Sequence, residues 1–139
     1  MRVVVDAGVF ISALLAASGP PGQVVRRWLD GEMEVVGSPR LVEELETLLE
    51  RDKFRAWVTL DDARAFVHVV AASMWTVADP PVVHGVCPDP GDDYLVALAL
   101  STRADALVTG DRALLSADLK GAVTLSPAEL LAELDRRRG

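Results

Sequence analysis

Residues 1–10 read MRVVVDAGVF, and the run Val3-Val4-Val5, stopped at once by Asp6, decides the fold class. Three β-branched residues in an unbroken apolar run suit a strand buried on both faces, whereas a half-exposed strand would alternate. Residues 2–6 therefore read as a buried strand. Residues 7–17, AGVFISALLAA, read as a helix, with Asp6 placed to accept the free amides of its first turn. A buried strand that runs straight into a helix is the first half of a crossover unit, and crossovers join parallel strands.

The pattern recurs outward from there. "SGPPGQ" breaks the first helix, and Pro21 suits the first turn of the next one, which runs to about Asp30. "MEVVGS", 33–38, is a second strand. "SPRLVEELETLLER" opens with Ser38 as N-cap and Pro39 at the first helical position, and Leu41, Leu45, Leu48 and Leu49 form its apolar face. Residues 60–75 form a helix opened by Thr59. The segment 77–91, VADPPVVHGVCPDPG, holds too much proline for a central strand and reads as a short edge piece plus a loop. Residues 92–103 are helical, 106–109 a strand, 112–117 a short helix and 122–126 a last strand. Ser126 and Glu129 then make a capping box, with Pro127 at the first helical position of a C-terminal helix. The expected fold is α/β, a short parallel sheet with helices on both faces, in a single domain over 1–139.

Half of the residues are apolar and the mean hydropathy is positive, which excludes a disordered chain. No apolar run approaches the length of a membrane span, and the N-terminus does not read as a signal peptide. The single cysteine, Cys87, allows no intrachain disulfide, and the expected location is the cytoplasm. The net charge of −7 argues against a protein that grips nucleic acid through a broad basic face. It leaves room for an enzyme that meets phosphates through a bound cation.

Sites in parallel α/β sheets form beyond the carboxyl ends of the strands. Asp6 and Asp111 each fall just past such an end. Glu44 lies on the helix after the second strand, and Asp92 opens the helix after the proline-rich loop. Each acid alone also reads as a helix cap, a solvated helix charge or a turn residue. Together they form a set of carboxylates whose mutual repulsion calls for a hard divalent cation, Mg²⁺ or Mn²⁺. His84 near Cys87 is too sparse a set for zinc, Cys87 lacks an orienting partner for nucleophilic work, and "GPPG" lacks the Lys-Ser/Thr end of a phosphate loop. Arg26, Arg27 and Arg112 are the candidates for backbone phosphate contacts. Trp28, Phe54, Trp57, Phe66 and Trp75 are expected mostly in the core, some of them at a dimer face.

Four stretches, VVVDAGVFISALL, GSPRLVEELETLLERDKF, CPDPGDDYLVALALSTRADALVTGDRALL and TLSPAELLAEL, resemble in order and spacing the PIN-domain family. The resemblance is narrower to the VapC-like ribonucleases, the toxin components of toxin–antitoxin pairs. It covers nearly the whole chain. It implies that Asp6, Glu44, Asp92 and Asp111 are the catalytic, metal-binding acids, with Asp89, Asp93 and Thr109 in support; Arg112, next to Asp111 in the sequence, is a further supporting candidate. It further implies cleavage of RNA with water as nucleophile, a cognate antitoxin that blocks the site, and a homodimer. The chain departs from the family pattern after the first acid, where Ala7 and Gly8 stand in place of a hydroxyl residue and an asparagine. That departure motivates a second reading, a PIN-like module that binds RNA or protein without chemistry. A small metal-dependent phosphatase is a third. A receiver-like signalling domain would need a lysine after a late strand, and "LSPAE" has none.

Overall fold

The computed structural model describes residues 1–138. Five parallel strands form one sheet in the order β3-β2-β1-β4-β5: β1 (Arg2–Val5), β2 (Glu34–Gly37), β3 (Trp75–Thr76), β4 (Ala106–Val108) and β5 (Thr124–Leu125). Val3 and Val4 of the central strand pair with Val35 and Val36 on one side and with Ala106 and Leu107 on the other. All six are fully or almost fully buried, as strands covered on both faces should be.

The helices are α1 (Ala7–Leu15), α2 (Pro20–Leu29), α3 (Pro39–Leu49), α4 (Leu60–Ser73), α5 (Asp93–Ser101), α6 (Arg112–Ser116) and α7 (Pro127–Arg138). The connections to β2 and β3 step across the sheet in one direction, and those to β4 and β5 in the other. Right-handed crossovers then put α1–α4 on one face and α5 and α6 on the opposite one. The contacts agree: α1 touches α2 and α3, α3 touches α4, α2 touches α7, and α5 lies on β1 and β4. Gly22 sits where α2 meets the turn after α1, and a Cβ there would lie 2.0 Å from the Ala17 carbonyl oxygen.

The differences from the sequence reading have local causes. β1 stops at Val5 because Asp6 has turned to cap α1. The helix expected over 60–75 ends at Ser73, where Met74 goes extended and leads into β3. That edge strand precedes the proline-rich run instead of lying within it. Asp52–Ala56 form a 3-10 helix that the sequence pattern does not mark. The aromatic expectation is corrected: of the five, only Trp28 is buried, tilted against Phe10 at 5.9 Å between ring centroids. Phe54 and Phe66 are half-buried, Trp57 is 70% exposed, and Trp75 lies on the sheet edge under the Arg2 guanidinium. Among the described residues no single helix is long and apolar enough to cross a membrane.

Candidate metal centre

The strand order reverses direction between β1 and β4, and such a switch opens a crevice beyond the carboxyl ends of the two strands. Asp6 leaves β1 at this place. Its backbone amide donates to the Val108 carbonyl at 2.9 Å, which extends the β1–β4 ladder by one bond. Its side chain is held on both oxygens: Oδ1 accepts from the Gly8 amide at 3.2 Å and Oδ2 from the Thr109 hydroxyl at 2.9 Å. Thr109 is fully buried, and its Oγ1 also accepts from the Asp111 amide at 3.1 Å. One hydroxyl thus ties the ends of the two central strands together. Asp111, exposed, caps α6 through the Ala113 amide at 2.9 Å. Asp6, Ser12, Asp111 and Pro127 line a cavity of about 310 Å³ beside these strand ends.

Glu44 reaches the same region from α3. Its Oε2 accepts a hydrogen bond from the hydroxyl of Tyr94 on α5. Tyr94 is 4% exposed, and the Arg40 guanidinium lies 4.5 Å from its ring centroid. Burial pushes the phenol well above its ordinary pKa, with Glu44 adding to the effect, so Tyr94 keeps its proton and acts as a donor. Asp92 is half-buried at the start of α5, and Asp89 caps the short 3-10 helix before it through the Gly91 amide at 2.9 Å.

Burial first, and then the charges of Asp6, Asp89, Glu44 and Asp111, together raise the Asp92 carboxyl from 3.8 to about 6. The structure therefore brings four other acids within electrostatic reach of Asp92. Among the described residues no three His, Cys, Asp or Glu side chains converge tightly enough to enclose an ion by themselves. The donor set fits Mg²⁺ or Mn²⁺ on its chemistry: every side chain offers oxygen, and Mg²⁺ is commonly held by one or two carboxylates while keeping its waters.

Asp93 does something else. It is 1% exposed, and its oxygens accept from the Cys87 amide at 2.7 Å and the Gly85 amide at 2.9 Å. The Cys87 amide first, then that of Gly85, hold its carboxyl below the usual range. Its carboxylate fastens the 85–87 loop that leads to Asp89 and Asp92. Burial and the neighbouring Asp93 push the Cys87 thiol up to about 12, which removes it as a nucleophile at neutral pH. His84 is exposed. Arg112 is exposed at the start of α6, beside Asp111. Arg27 is committed elsewhere: it pairs with Glu32 at 3.0 Å and with Asp135 at 2.8 Å. Arg26 donates to the Ala17 carbonyl at 2.6 Å. Sequence reasoning missed Tyr94 and Arg40. Arg40 lies four residues before Glu44, so helical spacing alone put it near that acid, but nothing in the sequence tied Tyr94 to Glu44 across fifty positions.

A family model for the PIN domain matches residues 2–113. The chain belongs to the PIN domain family. An uncharacterized protein of Methanocaldococcus jannaschii is 26% identical over 116 residues, which is 84% of this chain and 74% of that protein. Among solved structures, this PIN domain is similar to PAE2754 from Pyrobaculum aerophilum, with a TM-score of 0.69 and 22% identity over 98% of this chain and 90% of the other. It is also similar to VapBC2 from Rickettsia felis, solved bound to a DNA fragment from its promoter, with a TM-score of 0.64 and 8% identity over 91% and 98% of the two chains. At these identities the two structures establish a shared fold.

Proposed function

We propose that this PIN domain is a divalent-metal-dependent endoribonuclease and the toxin component of a toxin–antitoxin pair, working in the cytoplasm as a homodimer. The observation that carries the reading is Asp6, fixed by Gly8 and Thr109 at the switch between β1 and β4, together with an Asp92 that feels the charges of Asp6, Glu44 and Asp111. Family membership supports nuclease chemistry, and the likeness to VapBC2 supports an antitoxin partner.

In this reading Asp6, Glu44, Asp92 and Asp111 hold Mg²⁺ or Mn²⁺. Such an ion, when bound, makes a nucleophile of water at neutral pH and offsets the charge that grows on the phosphoryl oxygens. The chain's own residues do the rest. Thr109 and the Gly8 amide fix the direction in which Asp6 presents its lone pairs, and Tyr94 fixes Glu44. Arg112, beside Asp111, supplies a guanidinium to a backbone phosphate. Asp93 keeps the loop that carries Asp89 and Asp92 in place.

The rival reading, a PIN domain that binds RNA or protein without cutting, rests on Ala7 and Gly8. Here a backbone amide and a hydroxyl from the neighbouring strand end already satisfy Asp6, so the loss of side-chain donors at positions 7 and 8 leaves that acid oriented. The test is incubation of the chain and of Asp6→Asn with a mixed RNA pool in Mg²⁺, in Mn²⁺ and in chelator. Cutting by the wild type alone, and only with metal, supports the nuclease. No cutting under any condition sinks it in favour of the binding module.

A further inference from the structure

Neither packing nor backbone conformation calls for glycine at positions 8 and 110. Gly22 and Gly37 are forced by contact, since a Cβ would lie 2.0 Å from the Ala17 carbonyl oxygen and 2.2 Å from the Met74 sulfur. Gly31, Gly85 and Gly121 have positive φ. A Cβ on Gly8 would meet only Asp6 Oδ1, at 4.0 Å, and one on Gly110 would meet nothing within 4 Å. Gly8 also stands in the first turn of α1, where alanine makes the better helix. What the two glycines share is the space in front of them: both border the cavity of about 310 Å³ beyond the carboxyl ends of β1 and β4.

The rest of the lining suits a flat, neutral group. Val9 and Pro127 are buried and Pro21 is half-buried, so three apolar side chains form the walls. Ser12, one turn after Gly8 on α1, brings a hydroxyl that both donates and accepts. Asp6 and Asp111 close one side, and their carboxylates repel a free anion. The lining holds neither Glu44 nor Asp92, so this recess is separate from the space along α3. Its volume is at the small end for ligand pockets, enough for one ring system and not for a run of bases. Single-stranded RNA offers such rings, splayed from the backbone, and proteins hold a splayed base between apolar side chains with a few hydrogen bonds. A wall without a Cβ lets the ring approach the backbone closely.

We propose that this cavity is a base pocket: it takes the nucleobase of one nucleotide adjoining the cut, against Val9, Pro21 and Pro127, with Ser12 as its hydrogen-bonding partner. The pocket rests on the nuclease reading for its substrate class. It makes Gly8, Ser12 and Gly110 specificity-determining positions, because their small side chains keep the recess open. The phosphate of the same nucleotide then lies toward Asp6 and Asp111, where a bound cation offsets the carboxylates.

The test uses the full chain and two readouts. The first is calorimetric binding, in Mn²⁺, of the four nucleoside 5′-monophosphates and of ribose 5-phosphate, which has no base. None of these has a phosphodiester bond to cut. The second is sequencing of the ends produced from a random-sequence RNA pool. The variants are Ser12→Leu, which fills the recess from α1, Gly110→Ala, which adds a methyl from the opposite wall, and Ala72→Leu on the exposed face of α4 as control. Burial of one base should make at least one monophosphate bind about tenfold tighter than ribose 5-phosphate to the wild type. Ser12→Leu should remove that difference, Gly110→Ala should reduce it, and Ala72→Leu should keep it. The cut ends should show a base preference at one position beside the cut, which Ser12→Leu flattens. Both pocket variants should keep the thermal shift on Mn²⁺ addition. Base-dependent binding that Ser12→Leu removes, without any cutting, upholds the pocket and removes the nuclease reading. A wild type that binds no monophosphate better than ribose 5-phosphate, or a preference that survives Ser12→Leu, overturns the pocket. Loss of the Mn²⁺ shift together with the base preference places the effect at the ion and overturns it as well.

Discussion

The Thr109 hydroxyl donates to Asp6 Oδ2 at 2.9 Å and accepts from the Asp111 amide at 3.1 Å, so a single buried side chain joins the two strand ends that carry the outer acids. Thr109→Val removes the oxygen and keeps the shape. Asp6 then loses one of its two donors, and the Asp111 amide loses its acceptor. A lost partner of this kind typically costs roughly 10–100-fold in metal affinity or activity. The expected result is a shift of that size in the Mn²⁺ concentration for half-maximal cutting. A thermal shift titrated with Mn²⁺ reports the same loss without relying on activity. Thr109→Ser should stay near wild type, and equal behaviour of the valine and serine variants would refute the role.

The raised Asp92 carboxyl sets the sign of a pH effect. Its folded pKa is about 6 against an ordinary 3.8, so the fold holds this proton more tightly than the unfolded chain does. That contribution is complete below the unfolded value and is lost as pH rises through the folded one. The melting temperature of the metal-free protein should therefore fall between about pH 4 and 6.5 on this account. Asp92→Asn carries no charge to repel, so it should melt above wild type at pH 7 and lose this part of the slope. An ion that binds only the folded state should stabilise wild type more at pH 7 than at pH 5. Differential scanning at the two pH values, with and without Mg²⁺, reads both signs. A wild type that melts higher at pH 7 than Asp92→Asn in chelator would contradict the crowding of charge at this residue.

Much of this site was legible in the chain because caps and buried strands have local signatures. The valine run, Asp6 and the Pro39 helix start each announce themselves within a few residues, and the crossover order follows from them. What stayed hidden depends on contacts between distant positions. Asp93 reads like its neighbour Asp92, since both open a helix after a proline-rich loop. Only the folded loop reveals that one faces the acids and the other the amides of Gly85 and Cys87. Arg27 reads as a free cation on a helix, and its commitment to Asp135 depends on how α7 returns to α2. The exposed Trp57 and Trp75 carry no mark in the sequence that separates them from the buried Trp28.

Asp93 is expected to be a stability residue and not a metal ligand. Its carboxylate is depressed by the Cys87 and Gly85 amides, so its contribution is present above the ordinary carboxylate pKa and is lost as pH falls through the folded one. Asp93→Ala leaves two loop amides without their acceptor, one of them buried at Cys87. The melting temperature should drop clearly at pH 7, and by a smaller margin near pH 3, where the wild type itself is losing this interaction. If Asp93→Ala keeps wild-type stability but changes the Mn²⁺ titration alone, the side chain is a ligand after all.

The Tyr94 hydroxyl gives the sharpest test of how Glu44 is held, because phenylalanine fills the same space. Tyr94→Phe keeps the ring under Arg40 and the contacts inside α5, and removes only the donor to Glu44. A single neutral donor to a charged acceptor is worth on the order of 1.5–3 kcal/mol at most, and part of that returns as water reaches the half-buried carboxylate. Stability should therefore move little. Metal affinity should move more, since an unguided Glu44 samples orientations that miss the ion, and its half-saturation should rise about tenfold. The direction of that change separates two roles for the tyrosine. Weaker Mn²⁺ binding with an unchanged melting temperature means that Tyr94 aims Glu44 at the cation. Tighter binding would mean that the hydroxyl holds Glu44 back and that the ion must compete for it. An isothermal titration of Mn²⁺ into both proteins, in the absence of RNA, distinguishes the two without reference to catalysis.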